Sequence, residues 1–593
     1  MVSALALGQG CAMAGPAAEP PSPADSLLAR THLSAILMDH WAYVHQEWPT
    51  VGAWAGVRPE RLPTASWEGA KARGHFARAA LRALDGVRYE ALPETEYLSW
   101  STLLWDMEML SRLAGYFSTD FSDLAPRRSP LGVTVDLLAG LPLTGEADAQ
   151  RYLELVHAIP LLTDSLRAGL VLRRERGVIL SRALVPRAAR FARSLLKPAM
   201  ESPFSPSATR LAALDTAVSA RFVAALTEAI EQLVNPALAR LADHLEGEYQ
   251  ATAPALLGLG QYPGGLPHYV ALLEFETTLD ITPEDAHRIG LQEVLRLDTL
   301  VAQARAAAGA PVARDALLAW LRGTLAGSPH ATMVPESLPS WIAARRDAAA
   351  ATLLPALADP PRSVVEIDSV GAQSAEWEGL ARYTPPSVAL PIALYRINPE
   401  RIRAGAWYPI AGHVLQDLIP GRHLQAARQR ENGALPAFRR VAHHGGFVEG
   451  WSVYALELAD SVGSLTPAER LGARLVALRA ACGLVVDTGI NYFGWSAERA
   501  LDFLRQHLPG DDAALMRELV IPVAEEPASL TAAALGAREL RALRHWAGQE
   551  LGERFDPRAF HEAVLSAGSL PLPVLGAHIE WWIHEQQAMG TPR

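Results

Sequence analysis

The chain has 593 residues, 50% of them hydrophobic and 20% charged, which is enough apolar material for a large buried core and excludes an intrinsically disordered protein. Its net charge of −11, with no long Lys/Arg stripe, excludes the electrostatic footprint of a nucleic-acid binder. Two cysteines, Cys11 and Cys482, are too few and too far apart for a disulfide framework or a Cys-rich zinc site, so any metal has to be held by His and carboxylate.

Met1 to Ala14 is small and apolar, ends in Ala12-Met13-Ala14 and leads into a Pro/Ala/Ser stretch from Gly15 to Asp25. This reads either as the tail of an export signal that lacks its basic start or as a cytoplasmic leader. Cys11 stands where a lipoprotein cysteine could, but Gly8-Gln9-Gly10 lacks the usual Leu. An exported (periplasmic or secreted) and a cytoplasmic location both stay open. Residues 1–25 are set apart as leader or signal remnant, and residues 26–593 read as one helical body. From Ser26 onward apolar residues recur at spacings of three and four, as at Leu137, Leu138 and Leu141, in a background rich in Ala, Leu, Arg and Glu, which predicts long helices. Prolines at 198, 203, 206, 355, 360 and 361 end them. Strands are expected only at Ser363–Ile367 and Ala389–Tyr395, so the fold class is mostly α with a small β-sheet region. No later apolar stretch approaches the ~20 residues of a membrane span, which predicts a soluble body without a transmembrane segment.

The informative stretch runs from Tyr408 to Gly463: a helix, a Pro-Gly break, a second helix start, a loop and another helix. Its core is Gln416-Asp417-Leu418-Ile419-Pro420-Gly421-Arg422-His423-Leu424-Gln425, followed by Phe447-Val448-Glu449-Gly450-Trp451-Ser452-Val453-Tyr454-Ala455. Downstream stand Val485-Val486-Asp487-Thr488-Gly489, Gly494-Trp495-Ser496, Arg558-Ala559-Phe560-His561 and Leu570-Pro571-Leu572-Pro573-Val574-Leu575; upstream stand Pro263-Gly264-Gly265, Thr277-Thr278 and Tyr383-Thr384-Pro385-Pro386. In this order, from about residue 30 to about residue 585, the chain resembles the bacterial family called domain of unknown function 885. The family's H-E-x-x-P-G-H-H-L-Q signature is similar to the H-E-x-x-H helix of zincin metallopeptidases. The resemblance implies a zincin-like helical body and a His/His/Glu metal set with an open water position and a neighbouring carboxylate as general base.

This chain departs from that pattern. Gln416 stands for the first His, Asp417 for the Glu and Arg422 for the first of the paired His, leaving His423 and Glu449 of the implied ligands. A neutral amide is a poor zinc ligand and an arginine is none. The family's D-T-G-[IL]-H reads Asp487-Thr488-Gly489-Ile490-Asn491. Its Gln, Tyr and Lys further on read Ser529, Ala533 and Ala534, which removes the usual groups for stabilising an oxyanion or a carboxylate.

Two arrangements stay open for the altered site. A displaced metal centre would draw on His413, Asp417, His423 and Glu449, with His443 or His444 in reserve, since His413 and Asp417 are an i,i+4 pair. Alternatively, Arg422 pairs with Asp417 or Glu449 and fills the metal position with a fixed charge. The candidate residues are Asp417, at the degenerate base position, and Asp487 for acid/base chemistry; Arg422 and Tyr383 for substrate binding; and His423, Glu449 and His413 for a metal. Zinc is not the favoured cofactor, the cofactor stays unassigned, and whether the chain is an enzyme is open. Three readings follow: a pseudoenzyme that binds a peptide-like or small carboxylate ligand in the old cleft, an active hydrolase with a displaced metal, or a metal-independent enzyme reusing the cleft. Without a G-x-S-x-G elbow, and with Cys482 in an Ala/Leu/Val-rich helix, no nucleophile stands out. Trp451 and Tyr454 read as helix packing.

Overall fold

The computed structural model describes residues 21–126, 128–327, 338–371, 375, 377, 379–388, 390–403, 410–463 and 465–589. They form a mostly helical body with one small sheet. The first helix, Pro23–Glu47, opens on Ser22, which exchanges hydrogen bonds with Asp25 in a capping box and places Pro23 at the first helical position. It thus begins inside the stretch read as a leader. Met1–Ala14 and Cys11 lie outside the described residues.

The same device at Thr466 and Glu469, with Pro467 behind it, starts the helix Pro467–Asn491. Every residue of this helix from Ala481 to Asn491 is buried, which is why its sequence shows no polar face there. It packs against Pro283–Ala307 and Ile410–Asp417. The helices Gly445–Ser461 and Ala532–Leu551 cross at a pair of glycines: a Cβ on Gly450 would lie 2.5 Å from the Gly536 backbone, and one on Gly536 would lie 1.9 Å from the Gly446 carbonyl oxygen. Glu449 precedes Gly450, so this close crossing sets where its carboxylate stands.

One helix, Glu146–Glu175, is long and apolar enough to cross a membrane by length and composition, contrary to the expectation that no such stretch exists. Its apolar residues serve the core instead: Tyr152, Leu155, Val156, Ile159, Leu166 and Leu170 are buried among neighbouring helices. No other described helix passes that test, and no clear transmembrane segment is present among the described residues.

The sheet contains Val365–Ser369 (β1), Ala381–Thr384 (β2) and Ala393–Ile397 (β3) in the order β1-β3-β2, with β1 parallel and β2 antiparallel to β3. The sequence locates β1 and β3 a little too far toward the N-terminus and misses β2, whose four half-buried residues carry no apolar alternation. Tyr383 of β2 pairs directly with Tyr395 of β3, so both rings leave the same face of the sheet. That face packs a core of its own with Ile342, Ile410, Val414 and Leu418, and so holds the sheet against the helix that carries Gln416 and Asp417.

Candidate functional site

Between the helices Ile410–Asp417 and Arg422–Glu431 the chain turns back at Leu418-Ile419-Pro420-Gly421. A Cβ on Gly421 would lie 1.7 Å from the Gln416 carbonyl oxygen, so only glycine lets this turn close. Trp451, fully buried, anchors the turn by donating its indole N–H to the Pro420 carbonyl at 2.9 Å. The turn brings the end of one helix against the start of the next, and Glu449 enters from the Gly445–Ser461 helix.

Arg422 stands between the two carboxylates that meet there. One guanidinium nitrogen donates to Asp417 Oδ1 and the other to Glu449 Oε2, and Tyr395 donates its hydroxyl to Asp417 Oδ2 at 3.3 Å. Burial opposes the charge on Arg422, but Glu449 and Asp417 outweigh it and hold the guanidinium above its usual pKa. One cation against two carboxylates leaves the trio with a net negative charge. Behind it, the Gln416 amide donates to Ser452 Oγ at 3.3 Å.

His423 follows Arg422 in sequence but turns toward the sheet. Its Nε2 donates to the Ser363 carbonyl at 3.2 Å, which leaves Nδ1 to accept from the Tyr383 hydroxyl at 3.1 Å. Burial pushes its pKa down to about 4, so the ring is neutral with both nitrogens engaged. Burial lowers the pKa of His413 as well, against the opposing pull of Asp417. Among the described residues no three His, Cys, Asp or Glu side chains group so as to hold a metal ion. His423, Glu449 and His413, expected as metal ligands, are therefore not brought together as one set: Arg422 occupies the space between the carboxylates, and His423 is committed to the sheet.

The loop before the Glu449 helix carries two histidines. His443 is exposed, and the surrounding protein lowers its pKa while Glu449 and Glu276 pull it up. Nearby, Arg128 bridges Glu276 at 3.2 Å and Glu526 at 2.8 Å, and Trp105 stacks on the exposed Phe275 with centroids 6.1 Å apart. His444 is buried instead. Its Nε2 lies 3.1 Å from Asp106 Oδ1, and its backbone N–H donates to Ser569 Oγ.

Asp487 sits elsewhere, fully buried on the central helix. Its carboxyl accepts from the Tyr269 hydroxyl at 3.0 Å, the Asn491 amide at 3.0 Å and the backbone N–H groups of Ala528 at 2.9 Å and Leu530 at 3.2 Å. None of these partners belongs to the Arg422 trio. Burial, opposed by these donors, pushes its pKa up to about 7. Cys482 is fully buried, and burial raises its thiol well above the usual range.

Several members of the site are invisible to sequence reasoning. Tyr395 reads only as an apolar strand residue, and Ser363, Ser452, Arg128 and Glu276 carry no motif of their own. The one usable signal is the strand-like run Ala393-Leu394-Tyr395-Arg396-Ile397, whose period of two puts Ala393, Tyr395 and Ile397 on one side, the side the fold buries.

No curated protein matches. Two solved structures are similar. The "putative lipoprotein" of Colwellia psychrerythraea aligns with a TM-score of 0.83 at 19% identity, over 94% of this chain and 100% of that one. A "putative lipoprotein of unknown function" of Shewanella oneidensis aligns with a TM-score of 0.67 at 16% identity, over 93% and 99%. At such identities the likeness shows a shared fold. The family model described as "Bacterial protein of unknown function (DUF885)" matches residues 49–579, and the chain therefore belongs to that family.

Proposed function

We propose that this protein is a family member without zinc-hydrolase chemistry that binds a peptide-like or small carboxylate ligand in the cleft beside Arg422. One observation carries the reading: the Arg422 guanidinium pairs with both Asp417 and Glu449, the residues that the resemblance assigns to base and metal ligand. A guanidinium neither coordinates a metal nor gives up its proton at physiological pH. The remaining donors do not fit a tetrahedral zinc site either, since the Gln416 amide is held by Ser452 and both His423 nitrogens by Tyr383 and Ser363. An active hydrolase with a displaced metal draws no support from this donor set. Metal analysis of protein purified without added metal or a His tag tests the reading. Zinc well below one equivalent is expected, with a melting temperature indifferent to chelator; one equivalent of zinc, whose removal lowers the melting temperature, overturns it.

We also infer that the protein is exported. The fold-level likeness to two proteins described as lipoproteins and the Ala12-Met13-Ala14 sequence support this. Fractionation of cells producing the full chain should place it in the envelope or the medium, and recovery in the cytoplasm alone would count against export.

A further inference from the structure

The helix that carries Arg422 holds three arginines, and they are treated differently. Arg422 faces two carboxylates, Arg428 pairs with Glu562 at 2.6 Å, and Arg430 forms no ion pair among the described residues. Arg430 follows His423 by seven residues, so it lies on nearly the same face of the helix. Its guanidinium sits over the indole of Trp54, 5.2 Å from the ring centroid, and close to Tyr383, whose hydroxyl binds His423. The acidic groups nearby are already engaged. Glu431 accepts from the backbone N–H groups of Arg362 and Ser363 and from the Arg362 guanidinium, and Asp417 is held by Arg422 and Tyr395.

An arginine half-buried over an indole and beside a phenol, with no anion to meet it among the described residues, raises the free energy of the folded chain. Burial pulls its pKa down to about 10, opposed by Tyr383. Cation–π contact with Trp54 offsets only part of the desolvation. The same geometry becomes favourable once an anion enters, because the Trp54 ring takes up one side of the guanidinium and leaves its N–H donors, which form no hydrogen bond among the described residues, for a two-point pair with a carboxylate. A phosphate would call for further cations or a cradle of backbone N–H groups, and among the described residues only one guanidinium without an ion pair is offered here.

We propose that Arg430, Trp54 and Tyr383 form a subsite for one carboxylate of the ligand. The assignment rests on the reading that the cleft takes a peptide-like or small carboxylate ligand, and it places the ligand's carboxylate at Arg430, because the charge of Arg422 is already met by Asp417 and Glu449. Tyr383 joins the two regions, since Asp417 and Arg430 both act on its phenol.

Arg430→Met and the parent, both as the full chain, are titrated calorimetrically with N-acetyl-tetra-alanine bearing a free C-terminal carboxylate, with the same peptide as its C-terminal amide, and with inorganic phosphate. The free acid should bind the parent. Either Arg430→Met or amidation should weaken binding by about 10- to 100-fold, and the two changes together should cost no more than one, as for partners in a single pair. Without ligand, Arg430→Met should melt at or above the parent temperature, because an unpaired cation has been replaced by an apolar group. An arginine that serves only the fold would lower it, and that result overturns the subsite. Arg430-dependent binding of phosphate in place of the peptide acid overturns it as well. A peptide that binds equally as acid and amide, and indifferently to Arg430→Met, removes the subsite but leaves the cleft as a binding site. Absence of binding by all three probes overturns both.

Discussion

Replacing Arg422 by Met should lower the stability of the protein by about 3 kcal/mol at neutral pH, and the deficit should shrink on acidification. The substitution leaves the carboxylates of Asp417 and Glu449 facing each other without their shared cation. Removing one member of a buried pair typically costs ~3–5 kcal/mol, because the other charge stays behind unpaired. The side chains of Arg422 and Glu449 are 26% and 28% exposed, so water screens part of the penalty and the lower end of that range applies. Arg422→Lys should fall between the two, since an ammonium is a compact point charge that cannot span both carboxylates as the planar fork does. The pH dependence follows from the sign of the shift. Without the cation, burial and mutual repulsion raise the carboxyl pKa values of the folded variant above their unfolded values near 4. Stability is then fully present below about pH 4 and is lost as the pH rises through the folded values, so the gap to the parent widens toward pH 7. Urea midpoints at pH 4.5 and 7 measure this. A variant as stable as the parent at pH 7, or a gap that does not change with pH, would show that the trio stores no such energy.

The part of this site that sequence reasoning reached is the part made by short-range geometry. Asp417 and Arg422 flank a Pro-Gly turn, so opposite charges so close in the chain meet once the turn closes, and the ion pair was legible for that reason. Its second carboxylate was a candidate by motif, but its approach depends on the crossing of two helices at Gly450 and Gly536, residues far apart in sequence. His423 shows the opposite case. Standing beside Arg422 in the motif, it reads as a member of the same cluster, yet neighbours on a helix point about 100° apart. When Arg422 faces the carboxylates, His423 must face something else, which is the sheet. That sheet was only partly foreseen, because β2 is too short and too evenly exposed to announce itself, and with it went the roles of Tyr383 as partner of His423 and of Tyr395 as partner of Asp417. His443 and His444 look alike in the sequence and separate only when Asp106 and Ser569, from distant segments, claim the second of them. The mostly helical class needed none of this, since periodicity and proline placement report local structure directly.

Asp487→Ala should be strongly destabilising, on the order of 4 kcal/mol, because it takes the acceptor from four donors. The Asn491 amide keeps the Val523 carbonyl, but the Tyr269 hydroxyl and the N–H groups of Ala528 and Leu530 are left with none, each a loss of ~1 kcal/mol or more. Two of them, the N–H groups of Ala528 and Leu530, belong to the turn before the Ala532–Leu551 helix, in which Ala528 holds the left-handed conformation at φ +68°. An alanine there resists that conformation, and Asp487 is the side chain that fixes it. Asp487→Asn separates the hydrogen bonds from the charge. Three donors converge on Oδ1 and only Leu530 on Oδ2, so an asparagine that keeps its oxygen toward Tyr269, Asn491 and Ala528 loses one hydrogen bond and retains three. Burial raises the Asp487 pKa from its ordinary value to about 7 in the folded protein. A raised value means that the contribution of the carboxyl is fully present below about pH 4 and is lost as the pH climbs to about 7, a change on the order of 4 kcal/mol at ~1.4 kcal/mol per pKa unit. The parent should therefore be well ahead of Asp487→Asn near pH 4 and should lose most of that lead by pH 7, as read from melting temperatures across the range. If the two curves instead run parallel, the carboxyl is ionised throughout and its four donors outweigh burial. If the asparagine variant keeps the parent's stability but loses ligand binding, Asp487 acts on the ligand.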